Sequence, residues 1–161
     1  MKIDLAPADM SDFDPEVPAI KRGLALGFTD PEEGALSVHE VLATLDKCPR
    51  PAPWGSYWAL CGEKDAYVGI CGFKASPDRS ATVEIAYYTF PACEGRGVAT
   101  QMARGLTELA RSRGIDAVVA HTLAQFTASV AVLQHLGFAK GGTVHDPEDG
   151  EIWAWRLDLS E

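Results

Sequence analysis

A glycine-punctuated loop between a strand-like and a helix-like segment is the feature that most constrains this chain. The loop covers residues 91–100 and contains Gly95 and Gly97. β-branched and aromatic residues dominate the segment before it, residues 81–88, and apolar residues at helical spacing follow from Val98 onward. A turn of this kind aims several backbone N–H groups at one point, at the positive end of the helix dipole. The loop therefore predicts a binding site for a phosphate or pyrophosphate group.

Three kinds of phosphate-binding loop compete for this segment. A Walker loop needs a Gly-Lys pair, and no such pair occurs in the chain. A dinucleotide-binding loop needs a third glycine where this chain has Thr100, and an acidic residue about 20 positions further on, where only Asp116 is available. The third kind fits more residues. The segment resembles the acetyl-CoA pyrophosphate loop of the GNAT N-acetyltransferase superfamily, Gln/Arg-x-x-Gly-x-Gly/Ala, which Gly95 and Gly97 match while Ala92 replaces the Gln or Arg.

A second motif lies downstream, in residues 127–138. It resembles the Ala-Ser-x-x-Val-Leu-x-x-Leu-Gly-Phe helix of GNAT enzymes, especially the branch that acetylates the N-termini of ribosomal proteins. The residue types also predict a short helix here, since Thr127 can cap it and Gly137 can end it in a left-handed conformation. The two motifs stand in the family's order, with 42 positions between Gly95 and Gly137. Together they identify the chain as a member of the GNAT superfamily.

The predicted elements match the family's order. A strand within residues 2–5 is followed by two helices at about residues 15–47, three strands, the helix after the glycine loop, a strand, a short helix and a hairpin. This order predicts an α+β fold with a mixed, mostly antiparallel central sheet flanked by helices. The 161 residues suit a single N-acetyltransferase domain, with a cofactor-binding core at about residues 55–140 and a C-terminal hairpin at about residues 140–159.

The composition of the chain excludes some classes of binding partner and favours others. The formal net charge of −9 argues against a nucleic-acid partner and favours cationic acceptors such as amines. No apolar run approaches 18 residues and the N-terminus does not resemble a signal peptide, so we expect no membrane association. The spacing of the cysteines predicts reduced thiols in the cytoplasm, and no metal site is expected. The cysteines are Cys48, Cys61, Cys71 and Cys93.

The resemblance implies a direct transfer of acetyl from acetyl-CoA to an amine. An alkylamine with a pKa near 10 is mostly protonated at neutral pH, so a base is expected. Glu84 lies on the strand before the loop, where many family members carry a catalytic glutamate, and Val83 and Ile85 should face the opposite side. The family's usual general acid is a tyrosine, and Leu133 occupies its position. Ser129, where the ribosomal-protein branch has a serine, is the alternative candidate.

The resemblance also implies which residues hold acetyl-CoA. The backbone of residues 88–90 should lie along the pantetheine arm, with one of Tyr87 and Tyr88 in the core and the other towards the acceptor pocket. Phe126 replaces an asparagine that often contacts the cofactor. His121, at the end of a buried strand, is expected to be structural, with a place in the lining of the site as the alternative. The full set of predicted cofactor-binding residues is Tyr88, Thr89, Phe90, Glu94, Gly95, Arg96, Gly97, Val98, Ala99, Thr100 and Ser129.

The sequence therefore predicts an N-acetyltransferase that acts on a primary amine, in a small molecule or at a protein N-terminus, through a ternary complex with acetyl-CoA. A non-catalytic acyl-CoA sensor is the alternative, because three of the family's motif residues are replaced. Trp153 and Trp155 share one face of the last predicted strand and are expected in the core. A homodimer through that aromatic strand is the other interpretation of the pair.

Overall fold

The computed structural model describes residues 2–8, 51–62 and 66–160. Within these residues the fold is a seven-stranded sheet with two α-helices. In chain order the strands are β1 (Ile3–Pro7), β2 (Ser56–Cys61), β3 (Ala66–Phe73), β4 (Thr82–Thr89), β5 (Ala117–Leu123), β6 (Ala139–Asp146) and β7 (Gly150–Asp158). The helices are α1 (Val98–Ser112) and α2 (Ala128–His135).

The strands are ordered β1-β2-β3-β4-β5-β7-β6 across the sheet. Among these neighbours only β4 and β5 run parallel, and the other pairs are antiparallel. The predicted fold class, α+β with a mixed and mostly antiparallel sheet, is confirmed. The parallel pair is joined through α1, as a parallel connection requires a long crossover.

Helix α1 packs one apolar face against the sheet. Val98, Met102, Leu106 and Ala110 recur at helical spacing and are all buried. The same helix holds the edge strand β1. The backbone N–H of Ile3 donates to Gln101 Oε1 at 2.9 Å. Helix α1 therefore stabilises the sheet, and the glycine loop directly precedes this helix.

Helix α2 has the ends that the sequence predicts. Thr127 is its N-cap, and its Oγ1 accepts from the backbone N–H of Val130 at 3.4 Å. After the helix, Gly137 has a φ of 91°, a left-handed conformation in which glycine is favoured. The N–H of Phe138 then donates to the carbonyl of Leu133 at 2.9 Å and closes the helix end.

The observed elements differ from the prediction at a few ends. β1 extends to Pro7, and α1 ends at Ser112, two residues before Gly114. The two N-terminal helices predicted at about residues 15–47 lie outside the described residues. Neither helix in the described part of the chain is long and apolar enough to cross a membrane.

The two tryptophans of β7 have different environments on the same face. Trp155 is buried, and its indole N–H donates to Thr122 Oγ1 at 3.0 Å. Trp153 is only partly buried and packs edge-on against Phe126, with 5.3 Å between ring centroids. The predicted core position is therefore correct for Trp155.

Candidate active site

The central feature of the site is a gap between β4 and β5. The parallel pairing covers Thr82, Val83 and Glu84 of β4, which face Ala117, Val118 and Val119 of β5. Beyond this point β4 continues for five residues beside β3, while β5 continues beside β7. The two strands therefore diverge after Glu84, and the sheet opens on the side of the glycine loop.

The register decides which backbone groups face the gap. The N–H of Lys74 donates to the carbonyl of Glu84 at 2.9 Å, and the N–H of Phe90 donates to the carbonyl of Val68 at 3.0 Å. Backbone N–H and C=O groups point alternately to the two sides of an antiparallel strand. The N–H groups of the even-numbered residues of β4 therefore point towards β3. The N–H groups of Tyr87 and Thr89 point towards the gap instead. Of the residues 88–90 expected along the pantetheine arm, Thr89 is the one that offers its N–H there.

Two loop glycines set the backbone before α1. Gly95 and Gly97 have φ values of 74° and 79°, conformations that strain other residues. A Cβ at either position would meet no atom within 4 Å. The requirement for glycine thus comes from the backbone turn, which leaves the space beside it open. That space can admit a phosphate close to the main chain.

The first turn of α1 faces the same space. Its first intrahelical bond runs from the N–H of Gln101 to the carbonyl of Gly97, at 3.1 Å. The N–H groups of Val98, Ala99 and Thr100 consequently have no intrahelical acceptor. They lie at the positive end of a 15-residue helix, the arrangement that binds anions.

A cavity of about 530 Å³ joins the loop, the gap and α2. We call it the cofactor cavity. Nine of the eleven predicted cofactor residues line it, while Phe90 is buried in the core and Arg96 is exposed outside it. Thr89 in its wall carries a buried hydroxyl with no hydrogen-bond partner among the described residues. The lining residues are Tyr87, Tyr88, Thr89, Cys93, Glu94, Gly95, Gly97, Val98, Ala99, Thr100, Ala128, Ser129 and Val132.

A second cavity of about 550 Å³ lies on the other side of α2's first turn. We call it the acceptor cavity. Ser129 lines both cavities and so marks their junction. Polar and charged groups form most of its wall: Lys74, Glu84, His121, Thr122, Leu123, Thr127, Ser129, Asp146, Asp149 and Ile152.

Glu84 stands in this wall with two nitrogen partners. Its Oε1 lies 2.8 Å from His121 Nδ1 and 3.2 Å from Lys74 Nζ. Its neighbours Val83 and Ile85 are buried on the opposite face, as the strand alternation predicts. His121 lines the cavity, the alternative position that the sequence left open, and contacts Glu84. This three-residue group forms one of the two charged parts of the acceptor cavity, and Asp146 and Asp149 form the other.

Hydroxyl groups occupy the junction of the two cavities. Tyr87 Oη donates to the backbone carbonyl of Ser129 at 3.3 Å. Burial raises the pKa of Tyr87 to about 12, so its phenol stays protonated at neutral pH. Leu133, at the family's tyrosine position, is completely buried and supplies no polar group. Both Tyr87 and Tyr88 line the cofactor cavity, which differs from the expected core and acceptor roles.

The β6–β7 turn contributes negative charge to the rim of the acceptor cavity. Asp146 Oδ1 accepts from the backbone N–H groups of Glu148 and Asp149 at 2.8 and 2.9 Å. The bonds from Asp149 and Glu148 lower the pKa of Asp146, so this carboxylate is ionised at neutral pH. Among the described residues no group of three or more His, Cys, Asp or Glu side chains could hold a metal ion.

Sequence reasoning missed Lys74, Asp146 and Asp149 as site residues. Lys74 could have been predicted, because a β-hairpin that turns near residue 79 places Lys74 opposite Glu84. Asp146 and Asp149 belong to a turn sequence, and such a sequence does not show which cavity the turn borders. Phe126 lies at the position of the family's asparagine and is 82% exposed, outside the lining of both cavities.

Comparison with protein-family models identifies the family to which this chain belongs. The family model for the acetyltransferase (GNAT) domain matches residues 14–139, more than half of the chain. The chain belongs to the GNAT acetyltransferase family. The predicted family is therefore confirmed. Comparison with the curated proteins gave no match.

Solved structures of other GNAT proteins share the fold. RimL, a ribosomal L7/L12 α-N-protein acetyltransferase solved with coenzyme A, is 18% identical with a TM-score of 0.67, covering 98% of this chain and 94% of its own. YncA from Salmonella typhimurium, assigned as an acetyltransferase and solved with its cofactor acetyl-CoA, is 18% identical with a TM-score of 0.62, covering 100% and 96%.

A third similar structure is a chimera of the spermidine N-acetyltransferase SpeG, from Vibrio cholerae and hSSAT. It is 10% identical with a TM-score of 0.69, covering 99% of this chain and 96% of its own. These three proteins share the fold with the chain at low sequence identity.

Proposed function

We propose that this GNAT protein is an acetyl-CoA-dependent N-acetyltransferase that acts on a primary amine in a ternary complex. The observation that carries the proposal is that the cofactor cavity and the acceptor cavity meet at Ser129. One cavity has the N–H groups suited to a pyrophosphate, and the other has a proton-accepting pair, Glu84 and His121. Two substrates can therefore approach each other at one point.

The residues fit acetyl-CoA in three places. The N–H groups of the first turn of α1 suit the pyrophosphate, because a helix N-terminus favours anions. The N–H groups of Tyr87 and Thr89 in the gap suit the amide oxygens of an extended arm. The space beside Gly95 and Gly97 lets the backbone approach the phosphates. When bound, acetyl-CoA supplies an acetyl group activated as a thioester.

The acceptor cavity fits an amine. An alkylammonium has no lone pair, so its proton must leave before nitrogen can attack a carbonyl. The Glu84–His121 pair lies in the wall where that proton would be taken. Asp146 and Asp149 at the rim favour a cationic molecule, and the net charge of −9 favours its approach. Two similar proteins are named for an N-terminal amine and for spermidine, which makes both chemistries reasonable first candidates.

The test is a panel of amines incubated with acetyl-CoA and the protein, with products identified by mass spectrometry. The panel contains a polyamine, a peptide with a free N-terminus, an aminoglycoside and free amino acids. We expect one class to gain about 42 Da per acetyl group, because an acetyl of about 43 Da replaces a hydrogen of about 1 Da. Calorimetric titration of CoA accompanies the panel. Tight CoA binding with no product from any amine would favour the acyl-CoA sensor instead.

A further inference from the structure

We propose that His121 is the group that takes the proton from the acceptor amine, and that Glu84 is a positioning residue that orients it. This inference rests on the proposed function, since it names the base of that reaction. Its starting point is the 2.8 Å contact between His121 Nδ1 and Glu84 Oε1, in the wall of the acceptor cavity.

The contact fixes which imidazole nitrogen is available. An ionised carboxylate only accepts hydrogen bonds, so the short contact requires a proton on His121 Nδ1. In the neutral ring the lone pair then resides on Nε2. No hydrogen bond to Nε2 is found among the described residues, and His121 borders the acceptor cavity. The pair thus presents a neutral nitrogen acceptor to whatever occupies that cavity.

Glu84 is placed to support the ring. Its Oε1 is shared between His121 and Lys74, whose Nζ lies at 3.2 Å. The carboxylate is anchored from both sides by neighbouring strands, which fixes the orientation of the imidazole. A carboxylate bonded to Nδ1–H also stabilises the imidazolium that forms when Nε2 accepts a proton. Imidazole is the side chain whose ordinary pKa lies nearest neutral pH, which suits a general base.

The charges around the ring come from three directions. Glu84 on β4 is paired with Lys74, which directly follows β3, and Asp146 and Asp149 at the β6–β7 turn line the same cavity. On β7 the residue opposite His121 is the uncharged Ala154. Three carboxylates and one lysine therefore line the cavity that the ring borders.

The proton and electron balance is simple. The acceptor enters as an ammonium ion, and its N–H proton moves to Nε2, which leaves a neutral amine and an imidazolium. The amine nitrogen then forms the new C–N bond with the acetyl carbon, and the C–S bond breaks. The second amine proton goes to solvent as the amide forms, and the departing thiolate takes a proton from the imidazolium or from water.

Kinetics of two variants separate the roles. His121→Gln should lower kcat by about 10²–10⁴-fold at neutral pH, the usual contribution of a general base. The acidic limb due to the base should vanish from its kcat/KM profile, and the limb that remains should lie at the higher pH where the amine itself deprotonates in solution. Glu84→Gln should also lower kcat, because the ring loses its orientation, but its acidic limb should remain because the imidazole is still present. Free imidazole should partly restore activity to His121→Ala.

The reverse pattern would overturn the proposal. If Glu84→Gln abolishes the acidic limb and His121→Gln keeps it, Glu84 is the base. Calorimetric titration of CoA should give equal affinities for all variants, which excludes misfolding as the cause of a lost rate. The tautomer is tested separately by ¹⁵N NMR of the imidazole in the wild-type protein. Nδ1–H is expected, and an Nε2–H ring would refute the inference even if no amine proves to be a substrate.

Discussion

At the scale of single residues, Ser129 is the candidate for delivering a proton to the departing thiolate. It lines both cavities, and its backbone carbonyl accepts a hydrogen bond from Tyr87 Oη at 3.3 Å. Tyr87 is the other hydroxyl nearby, with a pKa of about 12. A thiol titrates near 8.5, so full transfer from Tyr87 to a thiolate would be uphill by roughly 5 kcal/mol. Tyr87 is therefore a hydrogen-bond donor at the junction, not an efficient acid.

We predict that Ser129→Ala lowers the single-turnover rate by about tenfold, in the lower part of the range for general acids. The loss is modest because a thiolate of ordinary acidity leaves fairly well without help. Rapid-quench kinetics measure the rate, and CoA affinity should change little. Ser112→Ala is the control, since Ser112 lies at the far end of α1. Wild-type rate and affinity in Ser129→Ala would show that water alone protonates the sulfur.

The sequence revealed some residues of the site and not others, for physical reasons. Gly95 and Gly97 could be found because a left-handed backbone leaves a direct mark on residue type. Glu84 could be found from its place on the strand before the loop. His121 could not be paired with Glu84, because the register of a parallel strand pair depends on packing between distant segments. A contact between side chains 37 positions apart is therefore invisible in the local pattern.

At the scale of elements, the start of α2 controls the position of Ser129. The hydrogen bond from the N–H of Val130 to Thr127 Oγ1 is long, at 3.4 Å. The hydroxyl still satisfies one of the helix's N-terminal donors. Any loosening of this cap would release the first turn, in which Ser129 lies between the two cavities.

We predict that Thr127→Ala lowers the free energy of unfolding by about 0.5–1 kcal/mol, the lower half of the range for an N-cap loss. Thr127→Ser keeps a hydroxyl acceptor and should retain most of the stability. Urea denaturation measures both variants. If the alanine variant is as stable as the wild type, the long bond adds nothing and α2 is held by its buried residues Val130 and Leu133 alone.

Within the described residues the strands and helices follow the prediction, whereas the gap between β4 and β5 does not follow from the local sequence. Helix α2 was located by its cap and its terminal glycine, which are local signals. The divergence of β4 and β5 has no local signal, since both segments keep the composition of ordinary buried strands. It arises because β4 follows β3 and β5 follows β7 past the last shared pair, Glu84 and Val119.

At the scale of the whole molecule, ligand binding should be visible as stability. A ligand that binds only the folded chain stabilises it by about 2.7 kcal/mol at 100 times its Kd. For a chain of this length that corresponds to a rise in Tm of roughly 5–11 °C. The cofactor cavity draws on β4, the loop, α1 and α2, so its occupation should stabilise the fold as a unit.

We predict that acetyl-CoA raises the Tm of the wild type by this amount and leaves that of Gly97→Glu unchanged. A glutamate there adds both bulk and negative charge at the pyrophosphate position. Gly114→Glu is the matched control, because Gly114 has a φ of 75° and open space beside it, yet lies at the opposite end of α1. Both variants should start from a lower Tm, since both force a side chain into a left-handed backbone. Differential scanning calorimetry with and without acetyl-CoA then separates strain from binding. A full ligand-induced rise in Gly97→Glu would place the pyrophosphate elsewhere on the molecule.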